Sequence, residues 1–279
     1  NAFSHDDKVL VVVGGTSGRR FERICAIHNI QYTIVNLAYG ETIKKDMLEP
    51  YRSAGYTGML INVHETSTGV YHDMHIVGEF CKQEGLVLVV DAISSFLADP
   101  YRMDDWGIDI SIISSQKALA VPPGISMLII NQKAADRIRQ NDVQSLYFDL
   151  KDYLKDIRRG QTPYTPAVGI LLQMAQALNI IEQKGIDTII ADTEKRAIYF
   201  RSNIADLPFT IPSERLSNAL TPIKPRDGIS AYSVFRHLKD KYDIFVTPNG
   251  GDLRDTVFRV GHIGNLSLDD TRVLIEALH

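Results

Sequence analysis

The chain has 279 residues, of which 44% are hydrophobic and 23% charged, enough apolar text to bury a core in one large or two modest domains. A formal net charge of -4 leaves no basic footprint for nucleic acid or an anionic membrane. No apolar run reaches transmembrane length, no signal-peptide pattern opens the chain, and its only two cysteines are Cys25 and Cys81, a usage that fits a reducing compartment such as the cytoplasm.

In chain order, short apolar runs alternate with helical patterns. Residues 8–13 read as a buried strand, and the Gly14-Gly-Thr-Ser-Gly18 turn leads into a helix over 19–28. A strand at 31–37, a polar helix at 44–54 and a strand at 59–63 follow, the last running into His64-Glu-Thr-Ser-Thr-Gly69. Then come a helix at 74–84, strands at 86–90, 108–113 and 126–130, and a helix at 134–140. Strands joined by helical crossovers predict a mainly parallel sheet sandwiched by helices, an α/β fold whose ligand edge is the C-terminal one. Asp91, Thr66 and Lys117 all fall at or just after strand C-termini. Residues 145–160 are polar and tyrosine-bearing, and Gln161-Thr-Pro-Tyr-Thr-Pro166 is a stiff extended turn. Two long helices, 167–184 and 187–207, precede a mix of short strands and one helix over 219–223, 230–239, 244–246, 256–260 and 268–277. The change from alternating to α+β text puts a boundary near Lys184, between a large domain, 1–184, and a small C-terminal one, 185–279. Both cysteines lie at apolar helix positions and are expected to be buried thiols.

Two residues carry the chemistry. Asp91 ends an apolar strand, where a buried carboxylate needs a cationic partner. Lys117 lies in a Ser-Ser-Gln-Lys turn after the next strand, where apolar walls disfavour its ammonium. An acid for a pyridine nitrogen and a lysine for an aldehyde are what a protein needs to run pyridoxal 5'-phosphate (PLP). The stretch from Val87 to Asn131, with Asp91, Gln116-Lys117 and Pro122-Pro-Gly124, resembles the cofactor core of the class V, fold-type I PLP-dependent aminotransferases.

The resemblance implies a role for each matching residue. Lys117 carries the cofactor as a Schiff base and shuttles protons, and Asp91 keeps the ring nitrogen protonated. Thr66 contacts the phenolic oxygen. Gln116 contacts the phosphate, as does Thr165 across to a neighbouring subunit, which implies a homodimer with shared sites. Arg259, in Phe258-Arg-Val-Gly-His-Ile-Gly264, grips the substrate carboxylate, a task suited to a bidentate fork. His64 and Glu65 as a metal pair lack a second ligand cluster, and no metal is expected.

Two features depart from the family. Its phosphate-binding loop precedes the strand matching residues 8–13, and nothing here corresponds to it, so the chain resembles all but the family's N-terminal portion. Ser17 stands where the family offers an aromatic to stack on the cofactor. The expectation is that this chain alone holds PLP poorly and that a longer polypeptide would hold it.

The expected function is transamination between a small amino donor of the alanine or serine type and the 2-oxo acid glyoxylate or pyruvate. The runner-up is 2-aminoethylphosphonate–pyruvate transamination. A desulfurase would need a mobile-loop cysteine, which neither Cys25 nor Cys81 provides. A reading of another class is an inactive fold-type I fragment that does not bind PLP.

Overall fold

The computed structural model describes every residue from Asn1 to His279. The first part of the chain runs β1 (Lys8–Val13), α1 (Gly18–Ile27), β2 (Gln31–Asn36), α2 (Lys45–Leu48), β3 (Gly58–Asn62), β4 (His64–Glu65), β5 (Val70–Tyr71), α3 (Met74–Glu84) and β6 (Val87–Asp91). It continues through β7 (Ile110–Ser114), β8 (Ser126–Ile130), α4 (Gln132–Gln140), α5 (Leu150–Asp156) and α6 (Val168–Lys184). The remainder is α7 (Ile186–Asn203), β9 (Phe209–Thr210), β10 (Leu220–Pro225), α8 (Ala231–Tyr242), β11 (Thr247–Pro248), β12 (Phe258–Gly261) and α9 (Leu268–Leu278).

Six strands form the main sheet in the order β2-β1-β3-β6-β7-β8. All neighbours pair in parallel except β8, which runs antiparallel to β7. Successive residues of β1 serve opposite faces, as a pleated strand requires. Val9, Val11 and Val13 pack with Cys25 of α1 and with Ala134 and Ile138 of α4. Leu10 and Val12 pack on the other face with Leu48 of α2 and with Met74, Val77, Phe80 and Cys81 of α3. A strand buried on both faces needs an apolar run without alternation, and Lys-Val-Leu-Val-Val-Val is one.

A separate antiparallel sheet, β11-β12-β10-β9, is covered by α7, α8 and α9 around Phe200, Ile223, Phe258 and Ile275.

Local chemistry sets the element ends. Asp73 caps α3 by accepting from the His75 N–H, and Gly85 ends it in the left-handed region at φ +70. The helix expected at 44–54 is cut short: α2 has four residues and gives way to a 3-10 turn at Glu49–Tyr51, because Pro50 has no N–H to continue an α ladder. The polar stretch after 145 contains α5, capped by Asp149. The strand expected at 244–246 lies at Thr247–Pro248. Cys25 and Cys81 are buried on α1 and α3, and burial pushes their thiols up to about 11 and about 12.

Candidate active site

From β1 the chain steps to β2 on one side and then to β3 on the other. That reversal opens a crevice between adjacent strands at the carboxyl edge of the sheet, where ligands bind in such folds. The turn after β1 and the loop after β3 meet there. Three neighbouring strands end in polar residues: Asn62 on β3, Asp91 on β6 and Ser114 on β7.

Parallel pairing puts Asn62 in register with Asp91. The Asn62 amide donates to the Asp91 carboxylate at 2.7 Å, and the Ile93 N–H donates at 2.9 Å. No cation bonds this carboxylate. Burial pushes it above the usual carboxylate range, the Glu65 charge adds to that, and its two hydrogen bonds and Arg20 oppose it.

Lys117 lies on the turn between β7 and β8. Ser115 fixes that turn, donating to the Pro122 carbonyl at 2.8 Å and accepting from the Val121 N–H through its own carbonyl. Burial lowers the proton affinity of the Lys117 amine, the Arg259 and Arg20 charges lower it further, and Asp91 opposes them. Each of those lowering effects favours the neutral form of the amine, the form that acts as nucleophile and base. His64 is fully buried, and burial holds its imidazole neutral with a pKa of about 3; Lys117, His72 and Arg259 add to that.

Arg259 reaches the crevice from β12 of the second sheet. Its fork donates to the Thr66 carbonyl at 3.0 Å and to the Pro248 carbonyl at 3.2 Å. The Thr66 hydroxyl lies 3.2 Å from that of Ser17. Glu65 holds the two loops together: its carboxylate accepts from the N–H groups of Ser17, Gly18 and Ser67. The Gly14–Gly18 turn looks like an anion loop because it is one, and its anion is an internal carboxylate at the N-terminus of α1.

Ser17, Thr66, Asp91, Lys117 and Arg259 thus converge on one edge. Gln116 is exposed beside Lys117, and Thr165 is exposed in a surface hollow with Ile157, Arg159 and Tyr164. Asn62, Ser114 and the anchoring role of Glu65 were not legible as motifs; the only signal for the first two was a polar residue closing an apolar strand.

The crevice fits PLP. Asn62 Oδ1, both ring nitrogens of His64, Ser114 Oγ and Arg259 Nε are buried without a hydrogen-bond partner. Such groups are rare and costly unless something else satisfies them. With them stand a half-buried carboxylate lacking a cation and a desolvated amine, the complement of a pyridine nitrogen and an aldehyde.

Known proteins resemble this chain in sequence and fold. The soluble hydrogenase small subunit of Synechococcus sp. is 27% identical over 285 residues, 100% of this chain and 74% of that protein. The L-aspartate–glyoxylate aminotransferase of Paracoccus denitrificans is 28% identical over 276 residues, 96% of this chain and 70% of that one. The crystal structure of an alanine–glyoxylate aminotransferase from Nostoc sp. superposes with a TM-score of 0.92 at 26% identity, covering 99% of this chain and 75% of that chain. The class V aminotransferase family model matches residues 1–250. The chain therefore belongs to the class V aminotransferases, PLP-dependent enzymes of fold type I that act on an amino donor and a 2-oxo acid.

Proposed function

We propose that the enzyme transfers the amino group of a small donor, alanine or serine in type, to glyoxylate or pyruvate. The observation that carries this is the meeting of a desolvated amine, Lys117, with a cation-free, half-buried carboxylate, Asp91, under the fork of Arg259. When bound, PLP supplies an aldehyde for the amino group and a ring that takes up the electron pair released at the α-carbon. Asp91 holds a proton on the ring nitrogen. Lys117 would take the proton from the donor's α-carbon and return it to the reacting system. Thr66 and Ser17 offer hydroxyls to the ring, and Gln116 serves the phosphate. Arg259 orients the substrate carboxylate.

In this reading Thr165 serves the phosphate of a second copy, which makes the enzyme a homodimer with shared sites; its exposure supports that. The hydrophobic cluster around α7, α8, α9 and the second sheet supports a small domain at 185–279. No helix is long and apolar enough to cross a membrane, and two buried free thiols suit the cytoplasm.

Relatives support glyoxylate as acceptor: a serine–glyoxylate aminotransferase of Arabidopsis thaliana is 30% identical over 210 residues, 73% of this chain and 52% of that protein. A panel of alanine, serine, aspartate and 2-aminoethylphosphonate, each with glyoxylate or pyruvate, tests the reading by keto-acid formation. Fastest turnover with alanine or serine is expected. Preference for 2-aminoethylphosphonate with pyruvate would select the runner-up, and no turnover by PLP-loaded protein would overturn both.

A further inference from the structure

We propose that Glu65 is a positioning residue for transamination, a strap that ties the turn after β1 to the loop after β3 so that the Ser17 and Thr66 hydroxyls and the Arg259 fork are presented from fixed places. The inference rests on the reading that these three groups face cofactor and substrate.

The geometry is unusually complete for one side chain. Glu65 is 1% exposed. One carboxylate oxygen accepts from Ser17 N at 3.2 Å, Ser67 N at 3.1 Å and Ser67 Oγ at 2.6 Å. The other accepts from Ser17 N at 3.1 Å and Gly18 N at 3.0 Å. Ser67 Oγ also accepts from the Thr16 N–H at 3.1 Å, a second strand of the same strap. The Glu65 carbonyl meanwhile closes its own loop by accepting from the Thr68 and Gly69 N–H groups, with Gly69 in the left-handed region at φ +76. Backbone and side chain of one residue therefore fix both partners of the Ser17–Thr66 pair.

Gly15 is explained by the same contact, since a β-carbon there would collide with Ser67 Oγ and the Glu65 side chain; Gly18 is required separately, because a β-carbon there would press on the Val12 carbonyl. Every donor to Glu65 is a neutral N–H or O–H, and the Ser17 and Gly18 amides among them stand at the start of α1. Arg259 binds the carbonyl of the next residue, Thr66, so a shift of Glu65 is passed directly to the fork. Glutamine at 65 would present an NH2 to N–H donors and break the strap on one side.

The test compares wild type, Glu65→Gln and Ser67→Ala with added PLP. It reads the PLP dissociation constant, the visible circular dichroism of the bound cofactor, kcat and KM, and the thermal unfolding of the unloaded protein. In a folded Glu65→Gln protein, PLP binding should weaken about tenfold, the effect of losing a hydrogen bond to a charged group, and the visible dichroism should shrink. Ser67→Ala should change both in the same direction by less. If Glu65→Gln folds and leaves affinity and dichroism at wild-type values, the positioning role is overturned. If Glu65→Gln does not fold, Ser67→Ala decides: wild-type affinity and dichroism overturn the role, and losses in both support it. A wild-type protein that gives no visible band even at saturating PLP refutes the underlying site reading instead, and the positioning role goes with it.

Discussion

Asp91 and Asp99 make an instructive pair. Asp99 is buried and Asp91 half-buried, both are pushed upward chiefly by desolvation, and both accept hydrogen bonds only from neutral donors. Asp99 sits where the first lobe meets the chain entering β10; it accepts from Ser217 Oγ and from the Asn218 N–H, while the Ala219 N–H donates to Ser217 Oγ. Arg201 stands beyond, donating to the Ser217 and Leu220 carbonyls and to Thr221 Oγ1. That network is closed. Asp91 instead stands among Asn62 Oδ1, Ser114 Oγ and the His64 ring, buried groups with unmet hydrogen bonds. Burial and a raised carboxyl do not tell a catalytic acid from a structural one; unmet polar neighbours do.

The largest test of that contrast is Lys117→Ala. Removing the proton shuttle should lower kcat about 10³-fold or more, at the upper end for a general acid–base group. Thermal unfolding should stay or rise, because a partly desolvated cation beside Arg259 and Arg20 is lost. Next is Asp91→Asn, which keeps the shape and loses the charge. Turnover should fall about a hundredfold, the scale for a charge aimed at the reacting system, with a small change in unfolding temperature. Steady-state kinetics and melting curves check both; a large loss of stability at Asp91 without loss of turnover would merge it with Asp99.

Much of the fold and part of the site are legible in the sequence. Apolar runs without alternation announce the doubly covered strands, and the ends of those runs place Asp91, Thr66 and Lys117. What joins strands far apart in the chain is not legible: nothing local says that Asn62 lies beside Asp91, because the register of β3 on β6 is set by the whole sheet. Nor does Gly14-Gly-Thr-Ser-Gly18 disclose that its amides serve Glu65, which lies 47 residues from Gly18. The shortening of α2 was readable from Pro50, which outweighs the helical pattern around it. Thr165 lies exposed in a surface hollow, outside the residues that converge on the sheet edge.

Asp99 sharpens the contrast from the other side. Asp99→Ala leaves the Ser217 hydroxyl and the Asn218 N–H without their acceptor, and stability should fall by about 1–3 kcal/mol, the desolvation cost of buried unpaired groups. Substrate KM should not move. The pH dependence has a definite sign. In the fold the Asp99 carboxyl is raised from 3.8 to about 6, so the fold favours its protonated form. That contribution is fully present below the unfolded value and is lost as pH rises through the folded one. Asp99→Asn keeps an acceptor oxygen and removes the titration. The difference in unfolding temperature between variant and wild type should therefore grow in the variant's favour across that window; a constant difference would show that Asp99 does not titrate there.

Arg259→Lys is the smallest expected effect and the one that places a residue on either side of the contrast. Arg259 is tied into structure through two backbone carbonyls, as Arg201 is, yet its Nε is buried without a partner, as the groups around Asp91 are. Lysine keeps the charge and gives up the planar fork. If the fork grips a substrate carboxylate, KM for donor and acceptor should rise about tenfold, the worth of one bidentate contact, with kcat and unfolding temperature changing less. If unfolding temperature falls as it does for Asp99→Ala and KM holds, the guanidinium serves only to pin the loop at Thr66. The orphaned Nε favours the first outcome, because a purely structural arginine in a closed network has no reason to leave a buried donor unmet.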